Sequence, residues 1–205
     1  MNIQTEKLGK KFGKEWIFQN FTFSFANNQA HAIVGNNGSG KSTLLKTLLG
    51  LMPASVGTVA YFAQPSQVIS AELWFRQVAL ATPYMELIEE LTLREAVDFH
   101  FKFKTMQVTE DELIDQLGWG KRQTQQAIRF FSSGMKQKLK LAFAIFAKTP
   151  ILCLDEPCAN LDQTNIDWYT QKIQEQVGKR TILICSNQAF EYQFCKHLIN
   201  MQHWK

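Results

Sequence analysis

The chain has 205 residues, 45% hydrophobic, 12% aromatic and 20% charged, which excludes a disordered chain and a multidomain machine and allows one sizeable domain with a subsidiary lobe. Its 22 basic and 18 acidic residues leave a net charge of +4 with the positive charges scattered, which argues against bulk nucleic-acid binding and leaves room for a small polyanionic ligand. No run reaches the ~18–20 apolar residues of a transmembrane helix, and the start MNIQTEKLGKKFG lacks the apolar core of a secretory leader, so the expected location is the cytoplasm.

Taken in order, IFQNFTFSF (Ile17 to Phe25) alternates with the period of a strand that buries one face. HAIVG (His31 to Gly35) reads as a short apolar strand running into a glycine-rich turn, and STLLKTLLGLM after it has helical spacing until Pro53. TVAYF (Thr58 to Phe62) and FRQVALA (Phe75 to Ala81) are strand-like, and from Glu86 to Lys148 the pattern turns helical, with breaks at Gly118, Gly120 and Ser132–Ser133–Gly134. ILCLDEP and RTILICS are buried strands around a helix from Trp168 to Val177. Alternating strands and helices predict an α/β fold with a mainly parallel sheet, an N-terminal antiparallel β subdomain and an inserted helical subdomain. Residues 1–205 are read as one domain, with 1–85 and 149–205 as core and β lobe and 86–148 as the helical insertion.

Other residues take structural readings. Cys153, Cys158, Cys185 and Cys195 show no paired short spacing and are expected as reduced, buried thiols. His31, His100, His197 and His203 lack ligand spacing, the run Phe99 to Lys104 is read as core packing with snorkelling lysines, and Trp204 as cover for a core edge.

Two motifs carry chemistry. Gly35-Asn36-Asn37-Gly38-Ser39-Gly40-Lys41-Ser42-Thr43 fits a phosphate-binding loop in the strand–loop–helix context that such a loop needs. Its glycines let successive N–H groups turn inward on phosphate oxygens, and the following helix adds its positive end. Lys41 is then placed for the β- and γ-phosphates and the Ser42 hydroxyl for Mg2+. In Ile151 to Pro157, an apolar strand ends in two carboxylates where α/β folds place ligands; Asp155 is expected to hold the Mg2+ through water and Glu156 to face an attacking water.

With Phe131-Ser132-Ser133-Gly134-Met135 leading through KQKLKLAFAIFAKTP into the acidic strand, and Asn160-Leu161-Asp162 after Glu156, the chain resembles the nucleotide-binding subunits of ABC transporters. The first segment is similar to the family's LSGGQ signature and the second to its D-loop. The resemblance implies ATP and Mg2+ as ligands, ATP hydrolysis, and a head-to-tail pair, either a homodimer or with a paralogous subunit. Ser132 and Gly134 would then meet the γ-phosphate held by the other subunit. It assigns Phe12, in KKFGK, to stacking on adenine, with an ordinary edge aromatic as the alternative. It also implies attachment to the cytoplasmic face of the membrane through a separately encoded permease, docked near Tyr84 to Glu90, with Tyr84 and Leu87 on the coupling surface. The short length is compatible with small export-type systems, among them those similar to the haem-exporter ATPases of cytochrome c maturation.

The chain departs from the family pattern at three places. Pro83 stands where the Q-loop glutamine belongs, Gln64 lying too close to Lys41 for that role, with Glu86 as a substitute oxygen. Asn187 follows Ser186 where the family has its switch histidine; it can donate a hydrogen bond but carries no charge near neutral pH, which predicts slow hydrolysis. Phe131, Ser133 and Met135 replace the signature's Leu, second Gly and Gln. A hydrolysis-poor regulatory subunit and a soluble ATPase acting on a macromolecular partner are the competing readings.

Overall fold

A computed structural model describes residues 1–64 and 67–205. Strand β1 (Asn2–Phe12) precedes the first strand expected from the sequence and pairs antiparallel with β2 (Glu15–Phe25). Its alternation is hidden because the hairpin slips register between Thr5 and Leu8 and again between Leu8 and Lys10, near Lys7 and Asn20, whose φ values are 46° and 55°. The slip moves the buried side chains from Ile3 and Thr5 to Leu8, so the period of two is lost.

After β3 (Ala30–Val34) comes α1 (Lys41–Leu48), shorter than the run STLLKTLLGLM suggests because Gly50, at φ 70°, turns the chain out of the helix. Strands β4 (Val56–Gln64) and β5 (Gln67–Val68) follow, then the short helix α2 (Ala71–Trp74). FRQVALA divides: Phe75–Gln77 is a 3-10 turn, and only Val78–Ala81 forms strand β6. Helices α3 (Leu93–Phe103), α4 (Glu110–Leu117), α5 (Lys121–Thr124) and α6 (Ser133–Ile145) lead to β7 (Ile151–Asp155). Helix α7 (Gln163–Gln174) starts five residues before the expected Trp168 because the Asp162 side chain caps it, accepting the Asn165 N–H at 2.9 Å. Strand β8 (Thr181–Ser186), the single turn α8 (Ala189–Tyr192) and β9 (His197–Asn200) complete the order.

The strands form an antiparallel sheet, β2-β1-β4-β5, and a parallel sheet, β6-β7-β8-β3-β9. Along β7 successive side chains point to opposite faces. Ile151 and Cys153 join Phe18, Phe21, Phe25, Leu44 and Leu48 in the core shared with α1 and the antiparallel lobe. Leu152 and Leu154 pack on the other side against Leu141, Ile145, Tyr169 and Ile173 of α6 and α7. Trp204 lies edge-on to Phe21 at 4.9 Å and closes that first core.

Helices α3, α4 and α6 bury Leu93, Val97, Leu113, Leu117, Leu139 and Phe143 in a third core. Helix α6 serves both this core and the sheet, so every residue from Gln137 to Ile145 is buried. Thr92 with Glu95, and Thr109 with Glu112, form capping boxes that start α3 and α4. The expectation of core packing for Phe99 to Lys104 is corrected: Phe99 and Phe103 are exposed and pack on each other at 4.9 Å, one helical turn apart on the outer face. His100 turns inward and stacks on Phe143, and Lys104 Nζ donates to the Val78 carbonyl at 2.8 Å. The four cysteines are free, and burial pushes each thiol up.

Candidate functional site

Strand β3 delivers the chain into the loop from Gly35 to Gly40, and two glycines there have no substitute. Gly35 has φ 148° and a Cβ on it would lie 2.7 Å from Ser39 Oγ; Gly40 has φ 98° and a Cβ would lie 2.6 Å from the Ile17 side chain. The loop closes on itself through Ser39 N–H to the Asn36 carbonyl at 3.0 Å. Lys41 is 4% exposed, and its ammonium donates to the Gly35 and Asn36 carbonyls at 2.9 and 3.2 Å. Gly40, at the N-cap, provides no side chain to cap the first turn of α1, so the N–H groups of Lys41, Ser42 and Thr43 keep an anion-binding arrangement. Asn36, Asn37 and Gly38 form the exposed crown of the loop.

The carboxyl end of β7 comes up beside this loop. Asp155 is 1% exposed, and its Oδ1 has no hydrogen-bond partner. Burial raises its pKa from the ordinary 3.8, with Glu156 adding to the rise and Ser42 and Lys41 opposing it. A hydroxyl and a partly unpaired buried carboxylate are hard oxygen donors, and they fit a Mg2+ ion that takes its remaining ligands from phosphates and water. Glu156 turns away from the strand at φ 45°, a conformation that a non-glycine residue keeps only when its surroundings hold it there.

At the end of β8, Asn187 Nδ2 donates to Asn37 Oδ1 at 3.1 Å, which brings the switch position onto the phosphate loop. Among the described residues no hydrogen bond joins Ser132, Gly134 or Phe12 to the loop. Ser132 caps α6 by accepting the Met135 N–H at 3.2 Å, and a Cβ on Gly134 would lie 2.7 Å from the Asn160 carbonyl, so the helix start rests on the segment after Glu156. Phe12 ends β1, 52% exposed, with Lys10 Nζ 5.2 Å from its ring.

Pro83 follows β6, the neighbour of β7, and its carbonyl accepts from Lys140 Nζ at 2.9 Å. Gln64 ends β4 in the other sheet, and its side chain lies outside those described. Glu86 lines an apolar cavity of about 370 Å³ with Leu87, Ile88, Phe99 and Phe143. Two residues that sequence reasoning missed, Gln137 and Glu191, are each 2% exposed and contact the loop after Glu156. A glutamine in a basic helix and a glutamate after a turn give no sequence signal of burial.

A parallel sheet whose central strands end in a phosphate loop and an acidic pair, carrying an antiparallel lobe and a helical layer, defines a phosphate-loop nucleotide-binding protein. Residues 18–159 match the family described as ABC transporter, and the chain belongs to that family. It is 27% identical over 206 residues to the uncharacterized ABC transporter ATP-binding protein YybJ of Bacillus subtilis, covering 98% of this chain and 93% of that one. To the cytochrome c biogenesis ATP-binding export protein CcmA of Agrobacterium fabrum it is 29% identical over 192 residues, covering 91% and 88%. The sulfate/thiosulfate import ATP-binding protein CysA of Synechococcus elongatus is 26% identical over 216 residues, covering 100% of this chain and 61% of the relative. Among solved structures, an ATP-binding subunit of an ABC transporter superposes with a TM-score of 0.81 at 25% identity, covering 98% and 85%. The dimeric bacterial ABC transporter cassette MJ0796 shares the fold, with a TM-score of 0.80 at 21% identity, covering 97% and 93%. The chain is an ABC-type ATP-binding subunit, and ATP hydrolysis is the activity its family implies. Importers and exporters both occur among its relatives. Among the described residues no helix is long and apolar enough to cross a membrane.

Proposed function

We propose that this chain pairs head to tail, with itself or with a paralogous subunit, on Mg-ATP, hydrolyses the ATP, and drives a separately encoded membrane permease of export type. The observation that carries this reading is the convergence of Lys41, Ser42, Asp155 and Asn187 on one loop. Lys41 and the first N–H groups of α1 take the β- and γ-phosphates, and Phe12 stacks on the adenine. Ser42 and Asp155 would hold Mg2+, which when bound offsets phosphate charge. Glu156 takes a proton from the water whose oxygen attacks the γ-phosphorus, and the bond to the bridging oxygen breaks to leave ADP and phosphate. Asn187 orients the γ-phosphate by hydrogen bonding. Ser132 and Gly134 make no hydrogen bond to their own loop and are assigned to the partner's ATP, a pairing that the dimeric cassette of the same fold supports. With a neutral Asn187 and with Pro83 at the Q-loop position, turnover is slow.

Residues 86–148 act as the arm that carries Ser132, on a base formed by 1–85 and 149–205. The apolar cavity near Tyr84 and Leu87 receives the permease, which holds the subunit at the cytoplasmic face of the membrane. The test is a tagged pull-down from detergent-solubilised native membranes with trapped ATP, read by mass spectrometry. A stoichiometric polytopic membrane protein is the expected partner; only soluble partners, or none, would overturn the transporter reading. A hydrolysis-poor regulatory subunit is the second reading, favoured by Pro83 and Asn187, and brisk ATP turnover would remove it.

A further inference from the structure

The segment from Glu156 to Asp162 lies outside helix and strand, so its buried backbone groups need partners beyond a regular ladder. Glu156 N–H donates to the Cys185 carbonyl at 2.8 Å, and the Glu156 and Cys158 carbonyls accept from Ala159 and Leu161 N–H at 3.1 Å each. The peptide between Pro157 and Cys158 is held differently, by a side chain at each end. Its carbonyl accepts from Gln137 Nε2 at 2.9 Å and its N–H donates to Glu191 Oε1 at 2.8 Å. Gln137 comes from the start of α6, five residues past Ser132, and Glu191 from α8, four residues past Asn187. Both are 2% exposed, and Tyr169 Oη fixes α8 by donating to the Glu191 carbonyl at 2.9 Å.

A peptide is planar, so holding its C=O and its N–H fixes the orientation of the whole unit. The ring of Pro157 fixes its own φ, and few soft torsions therefore separate this clamped plane from Glu156. We propose that Gln137 and Glu191 are positioning residues that clamp the Pro157–Cys158 peptide and so set the aim of the Glu156 carboxylate. The beginning of α6 and the segment after Asn187 are then tied to the base through one peptide group. Any movement of either on dimer closure reaches Glu156 directly. The inference rests on the reading of Glu156 as the group that polarises the attacking water.

The test is steady-state ATP hydrolysis by the full chain with Mg-ATP, comparing Gln137→Met, Glu191→Met, their double variant, Glu191→Gln and Glu156→Gln. Methionine keeps the volume and removes the hydrogen bond; glutamine at 191 keeps an oxygen for Cys158 N–H. Gln137→Met and Glu191→Met are expected to lower kcat about 10- to 100-fold, the scale of a misplaced reacting group, with KM within about twofold of the parent. The double variant is expected to fall within about twofold of the worse single, because either loss already frees the peptide. Glu191→Gln is expected to stay within about threefold of the parent, a rescue that a loss of packing alone would not predict. Parent-like kcat in Gln137→Met overturns the clamp, as do losses that simply multiply in the double variant or that appear in KM. If Glu191→Met does not fold, Gln137→Met and Glu191→Gln decide. Parent-like turnover in Glu156→Gln removes the base reading itself, whereas an inactive Glu156→Gln beside a parent-like Gln137→Met removes only the clamp.

Discussion

The Asn187 side-chain amide donates to the side-chain oxygen of Asn37 at 3.1 Å, so the end of β8 and the crown of the phosphate loop meet through two neutral side chains. A histidine at 187 would add a charge-assisted bond to a phosphate oxygen, worth roughly 1 kcal/mol more than the amide's. Asn187→His is therefore expected to raise kcat for ATP about fivefold, and Asn187→Ala to lower it by a similar factor. Phosphate release under saturating Mg-ATP measures both.

Asp155 sets function against stability. Because burial raises its pKa from 3.8, the native state binds the proton more tightly than the unfolded chain. That contribution is full below pH 3.8 and is lost as pH rises through the native value, so at neutral pH the carboxylate destabilises the nucleotide-free fold. Asp155→Asn is expected to raise Tm at pH 7 by about 2–6 °C and to show no gain below about pH 4. Mg-ATP should stabilise the parent and not the variant in the same scan.

His31 predicts acid sensitivity of the opposite sign. It is 1% exposed, edge-on to Phe23 and Phe25 and stacked on His197 at 5.0 Å. Burial, with His197 adding to it, lowers its pKa from 6.5 to about 4. A depressed native pKa gives stability that is complete above pH 6.5 and is lost as pH falls through about 4, on the order of 3 kcal/mol. His100, also lowered to about 4 by burial and Lys104, shares the window. Urea midpoints between pH 7 and pH 4 should therefore fall steeply in the parent and about half as steeply in His31→Phe.

Phe12 stands 52% exposed at the end of β1, where the fold gains little from it. If it stacks on adenine, Phe12→Ala weakens ATP binding about 5- to 30-fold, the scale of one base–aromatic stack, while Phe12→Tyr and Phe12→Trp retain it. Equilibrium titration with a fluorescent ATP analogue gives the comparison, and Tm should move by less than about 2 °C.

What could be read from the sequence is what is contiguous in it. The loop from Gly35 to Thr43 is legible because its glycines, lysine and hydroxyls act within nine neighbouring residues, and the backbone angles at Gly35 and Gly40 are demanded locally. The apolar runs of β3, β7 and β8 announce a parallel sheet because a strand buried on both faces needs apolar residues throughout. Strand β1 escaped because its bulges break the period from which a strand is recognised, and Phe99 and Phe103 were misplaced because composition does not say which side of a helix faces the solvent.

Only the tertiary structure set Asn187 against Asn37, buried His31 beside His197, and brought Gln137 and Glu191 to opposite ends of one peptide. These pairs lie 20 to 166 residues apart in the chain. A polar side chain looks alike in sequence whether water or a buried peptide group satisfies it. The difference arises when the sheet and helices close around it and the desolvated group must find a partner within the protein.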